Sequence, residues 1–349
     1  MLIAYRTSCQ RLRPLHLTRT GLQVARQHTS AAGTHNNPNH SPQAKQDAKK
    51  DEQKANDPRL KNVDDLIEDK FAVLKSSYDA PKHPIILAHG LLGFDQIRPA
   101  GRLLPGVEYW YGITQALAAK GVEVVTAVVP PSGSIEARAA KLAEAIEAKA
   151  NGKAVNIIAH SMVVIQGGLD SRYMISRLHP PNVKVLSLTT IATPHRGSAF
   201  ADYLFHQIGI ANVPKIYKVL DFFGIETGAF GQLTRDYMSQ SFNPRTPDVD
   251  GVQYYSYGAA FEPHLTSVFK KSHDVIEKVE GANDGMVSVG SSRWGEYKGT
   301  LNHVSHLDLI NWTNRLRWWF WQVTGTRKKN FNAIAFFLSI ADMLAKEGL

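Results

Sequence analysis

The stretch Ala154–Arg172, AVNIIAHSMVVIQGGLDSR, decides how this chain is read. Val155, Ile157 and Ile158 form a short apolar strand, and Ser161 stands at its end between His160 and Met162. A nucleophilic serine on a sharp strand-to-helix turn is written G-x-S-x-G, because small residues two before and two after the serine let strand and helix pass closely. Ala159 meets the first requirement and Val163 fails the second. With Val163, Val164, Ile165 and Gln166 removed, the text becomes AHSMGGLDSR, which meets both. The insert opens on valine, whose codons begin GT, and closes on glutamine, for which CAG is a codon. The genomic sequence therefore decides whether it marks a splice junction.

On either side, strands and helices alternate. Residues 60–78 read as a charged helix leading in, and Pro84–Ala88 as an apolar strand ending in His89-Gly90-Leu91-Leu92-Gly93. Tyr109–Lys120 reads as a helix closed by Gly121, Val122–Val129 as a β-branched strand, and Ser134–Ala150 as a helix with a Ser-x-Glu start. The Val155 strand, a helix after Ser161 and a strand at Val183–Ala192 follow. This is the spacing of parallel βαβ units, and the near-continuous apolar strands fit a sheet covered on both faces. Residues 197–250 break the rhythm and read as a helical insertion, either a cap or lid over the active edge or plain packing. Val252–Tyr257 resumes as a strand, and Trp312–Val323 and Phe331–Leu344 read as closing helices. The cluster Trp318, Trp319, Phe320 and Trp321 suits either core packing or contact with lipid.

The 349 residues suit one α/β domain with tails, and an apolar fraction of 43% supports a sizeable core. No apolar run reaches the ~18 residues of a spanning helix. Of the net charge of +9, six charges lie in residues 1–46, on Arg6, Arg11, Arg13, Arg19, Arg26 and Lys45, with no acid before Asp47. The basic balance is thus mainly a tail, and no nucleic-acid motif is present. Cys9 is the single cysteine, which leaves no disulfide within the chain and argues against a secreted protein. Residues 1–30 have the Arg/Ser/Thr-rich, acid-free composition of a mitochondrial transit peptide, the bland alternative being a basic tail. Residues 31–58 read as a disordered linker, and 59–349 as the folded domain.

A serine hydroxyl needs a histidine base, an acid to orient that base, and donors for the oxyanion. On a parallel α/β scaffold the chain order is Ser, Asp or Glu, His. Downstream of Ser161 stand Asn283-Asp284-Gly285 and Leu301-Asn302-His303-Val304-Ser305-His306-Leu307-Asp308. Each alone reads as a turn or a structural histidine; their order after an elbow-like serine points to a triad. The oxyanion donors would be the N–H groups of Met162 and of Leu91 in the glycine-rich loop.

The strings HGLLGFD, GVEYWYGI, the elbow, TIATPHRGSAFAD, NDGMVSV and SHLDLIN, from about Pro84 to the C-terminus, resemble bacterial triacylglycerol lipases of the Pseudomonas and Burkholderia type. They resemble fungal mitochondrial lipases still more closely. The resemblance implies an α/β-hydrolase fold, a mostly parallel sheet with helices on both faces and a helical cap, acting on acylglycerol esters at a lipid surface. It implies Ser161 as nucleophile, Asp284 as acid, His306 as base with His303 the runner-up, and Leu91 and Met162 as oxyanion donors. No cofactor is needed for the chemistry. A calcium ion near the base is implied by Asp308 as one ligand, although Asp308 also suits a helix cap. His195 and Arg196 read as loop-positioning residues. A mitochondrial location, in the matrix or at the inner membrane, fits the tail.

The insert has no counterpart in that pattern. Added to a helix, four residues advance it by about 6 Å and turn it roughly 40° beyond a full turn, so the fold survives with Gly167 and Gly168 displaced. Val163 would then crowd a neighbouring strand and push Ser161 aside. The expectation is a folded but impaired hydrolase. Its rivals are a lipid- or partner-binding descendant, and a phospholipase or acyltransferase on the same scaffold.

Overall fold

The computed structural model describes residues 66–89, 96–97, 107–129, 133–162, 165–208, 231–311 and 331–349, all within the compact unit Asn56–Leu349. The strands are β1 (Leu66–Ile67), β2 (Ile85–His89), β3 (Gln96–Ile97), β4 (Val107–Glu108), β5 (Val124–Val128), β6 (Ala154–Met162), β7 (Ile165–Gln166), β8 (Lys184–Ile191), β9 (Gln253–Ala260) and β10 (Glu296–Asn302). The principal helices are α1 (Ile113–Ala119), α2 (Ile135–Ala150), α3 (Gly167–Tyr173), α4 (Ala199–Ile208), α5 (Lys270–Glu280), α6 (Val289–Ser292) and α7 (Ala333–Lys346).

Seven strands make one parallel sheet in the order β1-β10-β9-β8-β6-β2-β5. Each strand feeds alternate residues to opposite faces. On β2, Ile85 and Leu87 join Ile113 and Leu117 of α1 and Phe336, Phe337 and Ile340 of α7. Ile86 and Ala88 join Leu142 and Ile146 of α2 on the other face. Both faces are therefore sealed, which is why the strands read as unbroken apolar runs. The chain steps from β2 outward to β5, then returns to β6 on the other side of β2. The carboxyl ends of β2 and β6 thus form the topological switch point, where open α/β sheets place their sites.

Ser134 caps α2 as its sequence indicates, its Oγ accepting from Ala137 N at 3.3 Å. On the buried face of α2, Arg138 forks onto Asp170 of α3 at 3.0 and 2.9 Å. This pins the helix after the insert to its neighbour. Removing one partner of such a buried pair costs about 3–5 kcal/mol.

Three sequence expectations change. The leading helix over 60–78 is absent from its described part: Leu66–Ile67 pairs with Thr300 and Leu301, and Asp69–Phe71 is a single 3-10 turn. Burial of Ile67 and Phe71 against the sheet edge overrides the charged pattern. The helix expected from Tyr109 begins only at Ile113, after a left-handed Gly112 at φ 74°, because Tyr109 and Trp110 are buried side by side ahead of it. Strand β10 was not foreseen, its polar start (Glu296, Tyr297, Lys298) hiding a strand whose second half is buried. Within 197–250, α4 and the short helical turns over 235–245 are helical as expected. Residues 1–30, 31–58, Leu91, Val163, and the segment Trp312–Val323 with its tryptophan cluster lie outside the described residues.

Candidate active site

Asp284 follows β9 and α5, His306 follows β10, and Ser161 lies near the end of β6, so all three stand at carboxyl ends of the sheet. All three are fully buried. His306 Nδ1 donates to Asp284 Oδ2 at 2.6 Å. The other carboxylate oxygen accepts from Met286 N and Val287 N at 2.9 and 2.8 Å, and His306 N donates to Asp284 O at 2.9 Å. Asp284 is thus locked by its own turn, and it fixes both the tautomer and the ring of His306. The Asn283-Asp284-Gly285 turn is held by Gly285 N donating to Asn283 Oδ1. His306 Nε2 is buried without a hydrogen-bond partner among the described residues. A buried nitrogen left in that state costs about 1–3 kcal/mol. His303 lies in a left-handed turn at φ 59° and takes the Asn302 side-chain amide at 3.2 Å. The carboxylate of Asp284 meets His306.

The elbow differs from both forms in which its sequence can be imagined. Strand β6 runs on through Ser161 and Met162 and folds back as a hairpin, Ser161 opposite Gln166 and Met162 opposite Ile165. The helix begins at Gly167, after the four residues, so they do not lengthen it. A Cβ on Gly167 would sit 2.7 Å from Ala88 O and 3.2 Å from His160 O, and one on Gly168 would strike the Thr193 side chain. The crowded crossing thus keeps its two glycines, and Ile165 and Gln166 pair back onto β6. Counting back along the sequence from Gly167, the serine of an uninterrupted elbow would fall at Ile165.

His160, beside Ser161 on β6, packs against His306. Its ring lies 4.6 Å from that of His306, and its Nδ1 shares a hydrogen bond of 2.6 Å with Tyr109 Oη. Sequence reading passed over Tyr109 and His160; only the packing of the GVEYWYGI segment against β6 brings them to the site. Burial, then the neighbouring His306, holds His160 well below its ordinary pKa.

His195 and Arg196 position the loop, as their sequence context suggests. Arg196 reaches the carbonyls of Gly290 and Arg293. His195 stacks on Trp294 at 5.3 Å, with Arg172 of α3 at 3.5 Å from the same ring. Burial, then Arg172 and Arg196, keeps His195 neutral as well. Two neutral histidines set a sign for pH. Below about pH 6.5 the unfolded chain binds two protons that the folded chain refuses, so stability falls with pH by about 1.4 kcal/mol per unit per histidine. Urea midpoints should fall from pH 7 to 5, and fall less in His195→Asn.

Asp308 Oδ2 accepts from Ser305 N at 2.9 Å and Ser305 Oγ at 2.6 Å, bracing the residue before His306. Among the described residues it belongs to no group of three metal-ligating side chains. Calcium takes six to eight oxygens, and no step is assigned to that ion. Asp308→Ala should cost about 1.5–3 kcal/mol, the range for hydrogen bonds to a charged group. Asp308→Asn should restore part of it. Thermal melts with a calcium chelator on the unmodified chain should not reproduce the loss.

Against known proteins, no family model matches the chain. A triacylglycerol lipase of Saccharomyces cerevisiae is 37% identical over 337 residues, covering 82% of this chain and 98% of the yeast protein. The chain belongs to the triacylglycerol lipase family. A Burkholderia plantarii triacylglycerol lipase is 29% identical over 69% of this chain and 82% of its own. Among solved structures, a metagenomic carboxyl esterase matches with TM-score 0.58 at 16% identity, over 79% of each chain. The Staphylococcus hyicus lipase matches with TM-score 0.53 at 19% identity, over 78% of this chain and 98% of its own. These structures carry the fold alone, the α/β-hydrolase fold that the sequence strings imply. By family, this lipase is a serine ester hydrolase.

Proposed function

We propose that this lipase hydrolyses acylglycerol esters with Ser161 as nucleophile, His306 as base and Asp284 as orienting acid. We propose also that residues Val163–Gln166 leave this form strongly impaired. The observation that carries the reading is the short, buried Asp284–His306 bond with its unpartnered Nε2 beside a strand that does not turn at its serine. In the reaction, Ser161 Oγ attacks the ester carbonyl and its proton passes to His306 Nε2. The N–H groups of Leu91 and Met162 would stabilise the oxyanion. Collapse expels the alcohol with that proton and leaves an acyl-serine, which water, activated by the same histidine, hydrolyses. The acylglycerol class is supported by the names of the yeast and Burkholderia relatives.

A fluorophosphonate probe tests both parts. The expected result is labelling at Ser161 in a Val163–Gln166 deletion and little in the full chain, with Ser161→Ala as blank. Labelling absent from both forms would favour a lipid-binding descendant. A panel of triglycerides, phospholipids and soluble esters, with and without an acyl acceptor, separates lipase from phospholipase and acyltransferase. Import through residues 1–30 is a further expectation, and a fluorescent fusion of that segment to a reporter tests a mitochondrial address. No helix among the described residues is long and apolar enough to cross a membrane. A lipid surface would therefore be met peripherally by this part of the chain.

A further inference from the structure

Away from the serine site, helix α5 carries a group that the hydrolytic chemistry does not use. His273, Asp274 and Glu277 bring one ligand atom each to within 4.8 Å of one another. The His273 side chain is only 4% exposed, whereas Asp274 and Glu277 are 38% and 24% exposed. One edge of the group is thus built into the protein and the other is open to solvent. His273 and Glu277 are one helical turn apart and share a face.

The tautomer of His273 is set by its surroundings. Its Nε2 lies 3.0 Å from Phe261 O, a pure acceptor, so Nε2 carries the proton. Nδ1 is buried and has no hydrogen-bond partner among the described residues. It points at Glu277 Oε2, 3.5 Å away, and Asp274 Oδ1, 3.7 Å away. Burial holds the imidazole below its ordinary pKa. The neutral ring therefore presents its lone pair toward two carboxylates, one of which, Asp274, already holds Lys270 Nζ. A second histidine nitrogen bonded to a main-chain carbonyl is also how proteins orient metal-ligating imidazoles.

The geometry points to a zinc site formed by His273 Nδ1, Asp274 and Glu277, with solvent in the fourth position. Ligand bonds of about 2.0–2.2 Å in a tetrahedron set neighbouring ligand atoms roughly 3.4 Å apart, close to the two distances observed. A nitrogen donor with two carboxylates selects zinc over calcium, which takes oxygen. Lys270 Nζ, 2.5 Å from Asp274 Oδ1, is the group that the metal must displace. The site abuts the turn of the catalytic acid, because His273 O accepts from Asn283 Nδ2 at 3.3 Å. Zinc here would brace that turn from outside.

The test is calorimetric titration of zinc chloride into the tag-free, chelator-stripped full chain at neutral pH, with cobalt substitution to read coordination. Binding should weaken at least about tenfold in His273→Gln and in Glu277→Gln, tighten in Lys270→Met, and show the strong visible bands of tetrahedral cobalt only where His273 is present. His273→Gln retains a donor for Phe261 O. Glu277→Gln changes a part-exposed residue, so a folding failure in one leaves the other decisive. No zinc binding, or binding that both substitutions leave unchanged, overturns the proposal. Neither result depends on whether Ser161 is the nucleophile.

Discussion

Deleting Val163–Gln166 is expected to raise kcat/KM for a short-chain ester by at least about 100-fold, since misplacing a reacting group by about 1 Å already costs that much. The reason lies in two counts along the chain that cannot both be met. Forward from Val155, strand register puts Ser161 at the end of β6. Backward from the crossing at Gly167 and Gly168, the serine's place falls on Ile165. The glycines win because their alternatives are backbone and Thr193 atoms that cannot move away. The hairpin Ser161–Gln166 absorbs the surplus, and Ser161 is left in extended strand rather than on a turn. Deletion makes the two counts coincide. Steady-state hydrolysis of a soluble ester by both forms decides the point. Equal rates would mean that the hairpin does not hold Ser161 from its base.

The second large effect is expected from Asp284→Asn in the deleted form, a fall in kcat of about 10⁴-fold with KM little changed. Asp284 Oδ2 alone receives His306 Nδ1. An amide nitrogen there would present hydrogens to Nδ1 and impose the wrong tautomer, leaving Nε2 protonated and unable to accept from serine. The remaining oxygen can still accept from Met286 N and Val287 N, so the turn and the fold should persist, which circular dichroism and the urea midpoint would verify. His303→Ala should leave activity unchanged. A comparable loss there would move the base from His306 to His303.

Much of this was open to reading because it rests on local chemistry. Apolar strands such as Ile85–Leu87, the Ser134 cap and the Asn-Asp-Gly turn at 283–285 are dictated by residues within a few positions of one another. The order Ser161, Asp284, His306 was legible from the motifs around them, and the structure brings Asp284 and His306 together. Where the reading failed, distant contacts decided. The charged segment before Lys70 became an edge strand because β10 was there to receive it, and β10 itself was masked by its polar first half. Tyr109 and His160 stand in separate strings and meet only because the segment around Tyr109 packs against His160 of β6.

From its sequence alone this chain is a parallel α/β protein of the lipase family with a Ser, Asp, His order and an interrupted elbow. Hydrophobic period, turn residues and family strings are properties of the chain as written. The fate of the interruption was decided by tertiary structure. Bulk at the glycine crossing would collide with main chain on β2 and with Thr193, so close packing fixed the glycines, and the surplus was taken up where Ser161 and Met162 pair with Gln166 and Ile165.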